Sequence, residues 1–274
     1  MENRRPPSPS LPPRRYRALW LSDVHLGYAG SRADDLGEFL AVVEAEVIYL
    51  VGDILDLWAL QRSAFWSAAH TRVVTLLLDK LQAGTRLVYV VGNHDAPLRR
   101  DTGALAGLGL VSEAEHVTAD GRRLWIVHGD RYDALMACGR LQHVVGNFLY
   151  DLLMYLNRHV HAWRRRFGFG HWSLAAFLKR KVPNARRHIE KFEDLVAHDA
   201  GSRGYDGVIC GHIHHPGVRH IDGVLYANTG DWVENCTALV EHADGCLELL
   251  HWSDRQAALG GLAPSATAPR RDAA

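Results

Sequence analysis

Acidic, imidazole and amide side chains recur in this chain directly after short apolar runs. The pattern occurs five times, at Asp23-Val24-His25, Gly52-Asp53-Ile54-Leu55-Asp56, Gly92-Asn93-His94-Asp95, Val127-His128-Gly129 and Gly211-His212-Ile213-His214. Carboxylate oxygens, imidazole nitrogens and amide oxygens together suit borderline to hard divalent ions such as Mn²⁺, Fe²⁺ or Zn²⁺. The candidate ligands are Asp23, His25, Asp53, Asn93, His128, His212 and His214. These are too many for one ion, so the pattern predicts two ions, which an aspartate could bridge.

Two divalent ions held about 3.5–4 Å apart can lower the pKa of a shared water and hold phosphate oxygens during in-line displacement. The sequence contains no Ser/His/Asp elbow and no Cys nucleophile motif that would compete with this chemistry. It also lacks the GxxxxGK[ST] motif, which argues against a nucleotide-driven motor or a kinase. The ligand pattern therefore favours a hydrolase that acts at phosphorus.

The elements that carry the first three motifs alternate between strands and helices. Continuous apolar runs predict strands over residues 18–21, 47–51 and 87–91. Helical spacing of apolar residues predicts helices over 36–43 and 64–81. Each of these three motifs follows the end of a predicted strand.

Shorter strands dominate the chain after residue 103. They are predicted over 117–119, 124–127, 207–210, 218–220, 224–227, 238–241 and 246–252. The turns Asp120-Gly121, Asp222-Gly223 and Asp244-Gly245 are strong hairpin signals, which indicate a meander-like second half. The economical architecture is an α/β fold with two sheets packed face to face and helices outside, a four-layer α/β/β/α sandwich.

Residues 134–200 fit neither half, because the whole segment has a helical pattern. One apolar stripe runs through Val145, Leu149, Leu152 and Leu156, and another through Ile189, Phe192, Leu195 and Val196. The segment has eleven Lys and Arg against five Asp and Glu. It is predicted to be a helical lid beside the site. The stripes could instead pack the helices on the body, and the basic residues could form a solvated face or contact a membrane surface with anionic lipid.

Composition narrows the class of protein further. The 274 residues include 31 Lys plus Arg and 31 Asp plus Glu, so overall charge gives no reason to expect nucleic acid binding. Four cysteines without CxxC spacing are expected to be reduced, which favours the cytoplasm. Residues 1–15 and 253–274 are rich in Pro, Arg, Ser, Gly or Ala and are expected to be disordered tails around a domain over 16–252. No signal peptide or membrane-spanning segment is predicted.

The ordered motifs DxH, GDxxD, GNHD, a His before Gly-Asp, and GHxH resemble those of the calcineurin-like metallophosphoesterases, over about residues 17–252. The resemblance implies one metal held by Asp23, His25, Asp53 and His214, and a second held by Asp53, Asn93, His128 and His212. It implies that His94 faces the phosphate and protonates the leaving oxygen or stabilises charge in the transition state. Asp56 would orient His94 through a hydrogen bond.

The later motif Gly211-His212-Ile213-His214-His215-Pro216, followed by Asn228-Thr229-Gly230-Asp231-Trp232, resembles the UDP-2,3-diacylglucosamine diphosphatase group of lipid A synthesis. This resemblance implies cleavage of a pyrophosphate in a lipid-linked nucleotide sugar, with release of UMP. It implies Mn²⁺ as the metal and a peripheral position on the cytoplasmic face of the inner membrane. Substrate contacts are expected at Asn93, His94, Lys181, Asn184 and His212.

One residue departs from the pattern of this group, because its best-known members have Arg where this chain has His94. Two alternatives therefore stay open beside the lipid substrate. One is a phosphodiesterase or phosphatase that acts on a soluble nucleotide or a phosphoprotein, although an apolar and basic lid would be unnecessary for a small polar substrate. The other is a non-catalytic scaffold of the same fold, which ranks last because every predicted ligand is present.

Overall fold

The computed structural model describes residues 14–100, 108–133 and 183–252, which form two β-sheets and flanking helices. The strands are β1 (Arg14–Leu21), β2 (Val43–Val51), β3 (Arg86–Val90), β4 (Gly109–Val111), β5 (Ala114–Val117), β6 (Arg123–Ile126), β7 (Gly207–Cys210), β8 (Gly217–Ile221), β9 (Val224–Asn228), β10 (Thr237–Glu241) and β11 (Leu247–His251). The α-helices are α1 (Ala33–Val42), α2 (Leu57–Arg62), α3 (Ala68–Gln82) and α4 (Pro183–Ser202), with 3₁₀ helices at Ala96–Arg100 and Asp130–Tyr132.

The first sheet contains six strands in the order β11-β10-β1-β2-β3-β4. Its four strands from β1 to β4 are parallel, and β10 and β11 extend it with antiparallel pairing. Parallel pairing fits the continuous apolar runs of β1, β2 and β3, since each strand is buried on both faces. The carboxyl ends of these three strands therefore lie at one edge of the sheet.

The second sheet contains five strands in the order β5-β6-β7-β9-β8. The prediction of a meander is wrong for its centre, because β6, β7 and β9 are parallel, while β5 and β8 are antiparallel edge strands. The chain between β6 and β7 includes α4, which packs on this sheet, so the crossover that a parallel pair needs is present. This sheet also presents the carboxyl ends of three strands together.

Alternating side chains of β1 show how the layers are stacked. Ala18 and Trp20 belong to the apolar cluster between the two sheets, whereas Leu19 and Leu21 pack with the outer helices. On the other side, Trp125 and Tyr226 of the second sheet pack against α4. The layers are thus helices, sheet, sheet and helix, which confirms the predicted four-layer α/β sandwich.

Local capping explains where the predicted boundaries are wrong. The helix predicted over 64–81 is α3, which starts later because Ser67 caps it by accepting from the backbone N–H of His70. A short helix, α2, comes before it, capped by Asp56, whose side chain accepts from the backbone N–H of Ala59 at 2.7 Å. The strand predicted over 117–119 lies earlier, at Ala114–Val117, and the three-residue strand β4 was not predicted.

Two predicted boundaries, the end of the N-terminal tail and the end of the lid, also differ from the structure. β1 begins at Arg14, which pairs with Val43, so residues 14 and 15 belong to the first sheet, although they were assigned to the tail. In α4, Phe192, Val196 and Ala200 are fully buried against the second sheet. The last part of the segment predicted as a lid therefore belongs to the packed body. For residues 134–182, which lie outside the described residues, the lid stays a prediction.

The packing of α4 gives a testable expectation. Phe192 is 0% exposed, so Phe192→Ala should lower the free energy of unfolding by about 3–5 kcal/mol through lost burial and a cavity. Chemical denaturation monitored by circular dichroism would measure the change. The control is Glu190→Ala, because Glu190 is exposed on the same helix and should change stability by less than about 0.5 kcal/mol. Equal, small effects of both substitutions would show that α4 is not part of the core.

Candidate metal centre

Each predicted ligand follows the carboxyl end of a parallel strand. Asp23, Asp53 and Asn93 come after β1, β2 and β3 of the first sheet, and His128 and His212 come after β6 and β7 of the second. Ligand sites of α/β proteins commonly form at this edge, because the strand ends leave a crevice there. Here two such edges face each other across the sandwich.

Five of the predicted ligands have a backbone conformation that non-glycine residues rarely adopt. The φ angles are +52° for Asp23, +52° for His25, +55° for Asp53, +70° for His212 and +49° for His214. Such a conformation costs of order 1–3 kcal/mol per residue and persists only where the surroundings enforce it. Backbone hydrogen bonds between loops do this, since the N–H of Asp23 donates to Gly52 O and that of His25 donates to Asp53 O. The strain turns side chains inward at the ends of the strands.

Glycines next to the ligands leave room for them. A Cβ atom at Gly52 would overlap the imidazole of His128, and one at Gly92 would overlap the carboxylate of Asp53. A Cβ atom at Gly211 would overlap Asp23 in the same way. The glycine that precedes Asp53, Asn93 and His212 in the sequence motifs is therefore required by the close approach of a ligand from another loop.

The ligand side chains form three groups whose nitrogen and oxygen atoms lie within 4.8 Å of one another: Asp23 with His25 and His214, Asp53 with His128 and His212, and His25 with Asp53 and His94. The first two groups match the two predicted ligand sets. Asp53 lies in both the second and the third group, and the third group also shares His25 with the first. Asp53 therefore shares a group with His25 of the first predicted set and with His128 and His212 of the second.

Several ligand atoms are buried without a hydrogen bond among the described residues. They are Asp23 Oδ1, His25 Nε2, Asn93 Oδ1 and His128 Nε2. Two of them have an ionic neighbour, because Asp23 Oδ1 lies 3.2 Å from His214 Nε2 and His128 Nε2 lies 3.2 Å from Asp53 Oδ2. Leaving atoms such as His25 Nε2 and Asn93 Oδ1 without a hydrogen bond costs about 1–3 kcal/mol each. Since all four belong to predicted ligands and aim at shared clusters, they fit divalent cations better than they fit an apolar core.

Second hydrogen bonds fix which nitrogen of two histidines is available. His128 Nδ1 lies 2.9 Å from the carbonyl oxygen of Val51, which can only accept, so Nδ1 donates and Nε2 is the nitrogen left for a metal. His25 Nδ1 lies 3.1 Å from Asp56 Oδ2, which leaves Nε2 of His25 free in the same way. Contacts of this kind orient metal-binding histidines in known sites.

Asp56 also contacts His94, as predicted. Its Oδ1 lies 3.1 Å from His94 Nδ1, while the backbone N–H of His94 donates to Asp53 at 2.8 Å. The His94 ring packs between Trp58, at 4.4 Å, and His25, at 4.6 Å, measured between ring centroids. The side chain is therefore held at the edge of the cluster from three directions.

Charge at the site is set by the pairing of carboxylates with imidazoles. Burial raises the pKa of Asp23, but His214 and His128 lower it further, to about 2. Burial also raises the pKa of Asp53 and Asp56, yet neighbouring histidines, through charge and hydrogen bonds, bring both below their ordinary value. Burial lowers the pKa of His94, and the hydrogen bond with Asp56 and nearby carboxylates raise it to a net value above the ordinary one.

Two further carboxylates support the site, and of these Asp95 was not among the predicted site residues. Asp95 is buried and accepts from the backbone N–H of Gly92 at 2.6 Å, from that of Ile54 at 3.0 Å and from the Tyr89 hydroxyl at 2.6 Å. Asp231 accepts from the backbone N–H of Val233 at 2.8 Å and from those of the next two residues. Asp95 joins the loops that carry Asn93 and Asp53, and the Asp at the end of the GNHD motif was the available signal.

The predicted substrate contacts are only partly placed. Asn93, His94 and His212 lie at the cluster, as described above. Asn184 lies in the first turn of α4, in a part of the helix whose side chains are not described, and Lys181 lies outside the described residues. Roles for these two residues stay predictions.

With this geometry in hand, comparison with known proteins assigns the family. Residues 16–216 match the family model of the calcineurin-like phosphoesterases. The chain belongs to this family and is a phosphoesterase, hence a hydrolase. Membership implies a dinuclear metal site, in agreement with the His and Asp clusters.

Among curated proteins, the chain is similar to the UDP-2,3-diacylglucosamine hydrolase of Neisseria gonorrhoeae, at 24% identity over 83% of this chain and 94% of that one. The protein of the same name from Aromatoleum aromaticum is 24% identical over 79% of this chain and 87% of that one. Among solved structures, Vacuolar Protein Sorting 29 from Cryptosporidium parvum aligns with a TM-score of 0.42 at 11% identity, over 85% of this chain and 94% of that one.

Two other findings concern membrane-spanning helices and cysteines. In the part of the chain that the structure describes, no helix is both long and apolar enough to cross a membrane. The thiols of Cys210, Cys236 and Cys246 are free.

Metal binding should release protons. Burial lowers the pKa of His128, but the charges of Asp53 and Asp23 and the hydrogen bond with Asp53 raise it well above its ordinary value, so the metal-free ring holds its second proton to a higher pH than an ordinary imidazole. A metal ligand has to lose that proton, so affinity for Mn²⁺ should fall as pH falls. Calorimetric titration with Mn²⁺ at pH 7, in buffers of different ionisation enthalpy, should detect release of about one proton or more.

The matched control for this titration is His128→Gln, which should release fewer protons than the natural chain. Binding enthalpies that are identical in all buffers would contradict the assignment of His128 as a protonated ligand in the metal-free state.

Proposed function

We propose that this phosphoesterase cleaves the pyrophosphate of UDP-2,3-diacylglucosamine or a chemically similar lipid-linked nucleotide sugar, with release of UMP. The observation that supports the chemistry best is the position of Asp53 between two ligand clusters. The support for the substrate is the similarity to hydrolases that are named for UDP-2,3-diacylglucosamine, which extends over 83% of this chain.

In this proposal each cluster holds one divalent ion, Mn²⁺ in preference to Fe²⁺ or Zn²⁺. Asp23, His25, Asp53 and His214 hold the first ion, and the second is held by Asp53, Asn93, His128 and His212. Two such ions would supply a water of lowered pKa and positive charge for the phosphate oxygens. The chain itself contributes ionised carboxylates and histidines whose free nitrogen is fixed by a second hydrogen bond.

His94 is proposed as the group that donates a proton to the leaving oxygen or stabilises charge on it. It lies at the rim of the clusters, and its imidazole is one-quarter exposed, so it is accessible to substrate. Asp56 Oδ1 lies 3.1 Å from His94 Nδ1, so Nε2 is the nitrogen of His94 that is left to face the substrate. A raised pKa keeps His94 protonated to a higher pH than an unperturbed imidazole.

The lipid part of the substrate would be received by the predicted lid, with the protein positioned peripherally on the inner face of the cytoplasmic membrane. Segment 134–182 supports this part of the proposal by its composition, because basic side chains are interleaved there with aromatic ones. No nucleic acid partner is proposed, because positive and negative charges are equal in number.

A phosphodiesterase or phosphatase for a soluble nucleotide or phosphoprotein is the second candidate. The residue that favours it is His94, which stands where the best-known diphosphatases have Arg. Arg binds phosphate oxygens through two parallel N–H groups, whereas imidazole offers one donor and can transfer a proton. Such an exchange preserves phosphoester chemistry and changes how the substrate is held.

Product analysis separates the two candidates. Purified protein with Mn²⁺ and UDP-2,3-diacylglucosamine in detergent micelles should give UMP and the lipid monosaccharide phosphate, detected by mass spectrometry. The control is Asp53→Asn, which should reduce turnover at least about a thousandfold because it removes the shared charge. If the natural chain leaves this substrate intact but hydrolyses bis(p-nitrophenyl) phosphate, the second candidate is correct.

A separate experiment tests His94. His94→Gln should lower kcat by about 10²–10⁴-fold for a poor leaving group such as phenol, and by less for p-nitrophenol, which needs little protonation. Metal content, measured by elemental analysis, should stay at the level of the natural chain. Loss of metal together with activity would instead make His94 a ligand, and equal losses for both leaving groups would exclude proton donation.

A further inference from the structure

We propose that Asp133 is a positioning residue, which fixes the tautomer of His212 so that Nδ1 of this histidine is available to the second metal position. The inference rests on the proposed two-metal function and adds a residue that the family motifs do not contain. Asp133 Oδ2 lies 2.9 Å from His212 Nε2, a distance that fits a charge-assisted hydrogen bond.

Local structure holds Asp133 in this place. It directly follows the 3₁₀ helix Asp130–Tyr132, which begins two residues after His128. Tyr132 anchors that helix, since its ring is buried against Phe192 and its hydroxyl donates to Asp199 of α4 at 2.7 Å. The backbone N–H of Tyr132 also donates to Gly129 O. The carboxylate is therefore positioned by the same loop that positions His128.

The opposite side of the contact is equally fixed. His212 has a φ of +70°, and its backbone N–H donates to Asp23 Oδ2 at 2.9 Å. Its ring packs edge-on to His128, at 5.1 Å between centroids, and against Phe192 at 6.1 Å. Because backbone and ring are both restrained, the direction of Nε2 toward Asp133 determines what remains for Nδ1.

The chemistry of the contact assigns the proton. A carboxylate oxygen accepts, so Nε2 of His212 donates and carries hydrogen. A neutral imidazole with hydrogen on Nε2 has its lone pair on Nδ1. Only that nitrogen can then bind a metal, and binding through Nε2 would break the contact with Asp133.

In three histidines of the site, one ring nitrogen faces an acceptor oxygen and the other nitrogen is left for a metal. His25 is fixed by Asp56, His128 by the carbonyl of Val51, and His212 by Asp133. The first two leave Nε2 free, whereas the third leaves Nδ1. The side chain of Asp133 is 41% exposed and that of Asp56 only 6%, so water can compete with His212 for the carboxylate of Asp133.

A surface ion pair without consequence is the rival explanation, because partly exposed pairs commonly contribute little to stability. The two explanations differ in what they predict for metal binding. An incidental pair would leave both metal positions unchanged when Asp133 is replaced. A positioning residue should affect the second position and spare the first, since its partner His212 belongs to the group of Asp53 and His128 and not to the group of Asp23, His25 and His214.

The experiment measures Mn²⁺ directly on the metal-free protein, by equilibrium dialysis with elemental analysis and by electron paramagnetic resonance. The natural chain should bind two ions and give the spectrum of a coupled pair. Asp133→Ala should weaken one of the two sites about 100-fold and give the spectrum of an isolated Mn²⁺ at low occupancy. Asp133→Asn keeps an acceptor oxygen without the charge and should weaken the same site only about tenfold.

Glu113→Gln is the matched control. Glu113 is an exposed carboxylate that pairs with Arg131, a neighbour of Asp133, at 3.0 Å, and it belongs to no ligand cluster. It should bind two ions with the affinity of the natural chain. Circular dichroism melts of all variants check folding, and if Asp133→Ala does not fold, Asp133→Asn carries the test.

Two affinities equal to those of the natural chain in Asp133→Asn and Asp133→Ala would overturn the role of Asp133. Equal weakening of both sites would also overturn it, because the effect would then be general. Failure of the natural chain itself to bind two Mn²⁺ ions would contradict the proposed function, and this result is distinct from either of the others.

Discussion

Two buried carboxylates, those of Asp23 and Asp53, determine how the rest of the site is built. Both lie between the sheets and are almost fully buried, where an isolated negative charge would be very costly. Each is surrounded by imidazoles and backbone N–H groups from other strands: Asp23 by His214 and the N–H of His212, and Asp53 by His128 and the N–H of His94. Ionisation is retained only because loops from both sheets converge on these two side chains.

The same convergence explains features that would otherwise be unrelated. Left-handed backbone at five ligands turns their side chains toward the carboxylates, and glycines beside them keep the loops close enough to touch. Parallel pairing of β1, β2 and β3 in one sheet and of β6, β7 and β9 in the other brings all ligand loops to one side of the sandwich. The left-handed backbone and the glycines would each destabilise the fold by themselves. Together with the converging loops they define one cavity for cations.

Much of this arrangement could be predicted from the sequence because its signals are local. Apolar runs that end in Asp23, Asp53 or Asn93 indicate buried strands with polar ends, and turn pairs such as Asp222-Gly223 mark hairpins, here confirmed with φ of +49° and +85°. What could not be predicted depends on partners distant in sequence. The parallel pairing of β6, β7 and β9 is one case, and the packing of Phe192 is another, since an apolar stripe shows that a helix is buried without showing against what.

Supporting residues were the least predictable part of the site, for a related reason. Asp133 acts through its contact with His212, and a single aspartate in a loop carries no spacing signal that separates it from a solvent-exposed one. Asp95 closes the GNHD motif, but the motif does not show that its carboxylate accepts from the backbone N–H of Gly92. Asp56 could be expected because it closes the GDxxD motif of the family that the sequence resembles, and the structure shows that it also caps α2. Where one side chain serves both a local motif and the site, sequence reveals it. Where it serves the site alone, only the fold does.

Stability and function are coupled at this site. Strained backbone at Asp23 and Asp53 and unpaired buried atoms at His25 and Asn93 are unfavourable contributions to the metal-free fold. Any cation that satisfies these atoms binds the folded chain and not the unfolded one, and so stabilises it by mass action. The apolar layers between and outside the sheets, which include Trp20 and Trp125, therefore have to offset these unfavourable contributions in the metal-free protein. Each sheet has a buried apolar layer on both of its faces, and these layers hold the strand ends in place. The ligand loops can therefore keep their strained backbone conformations.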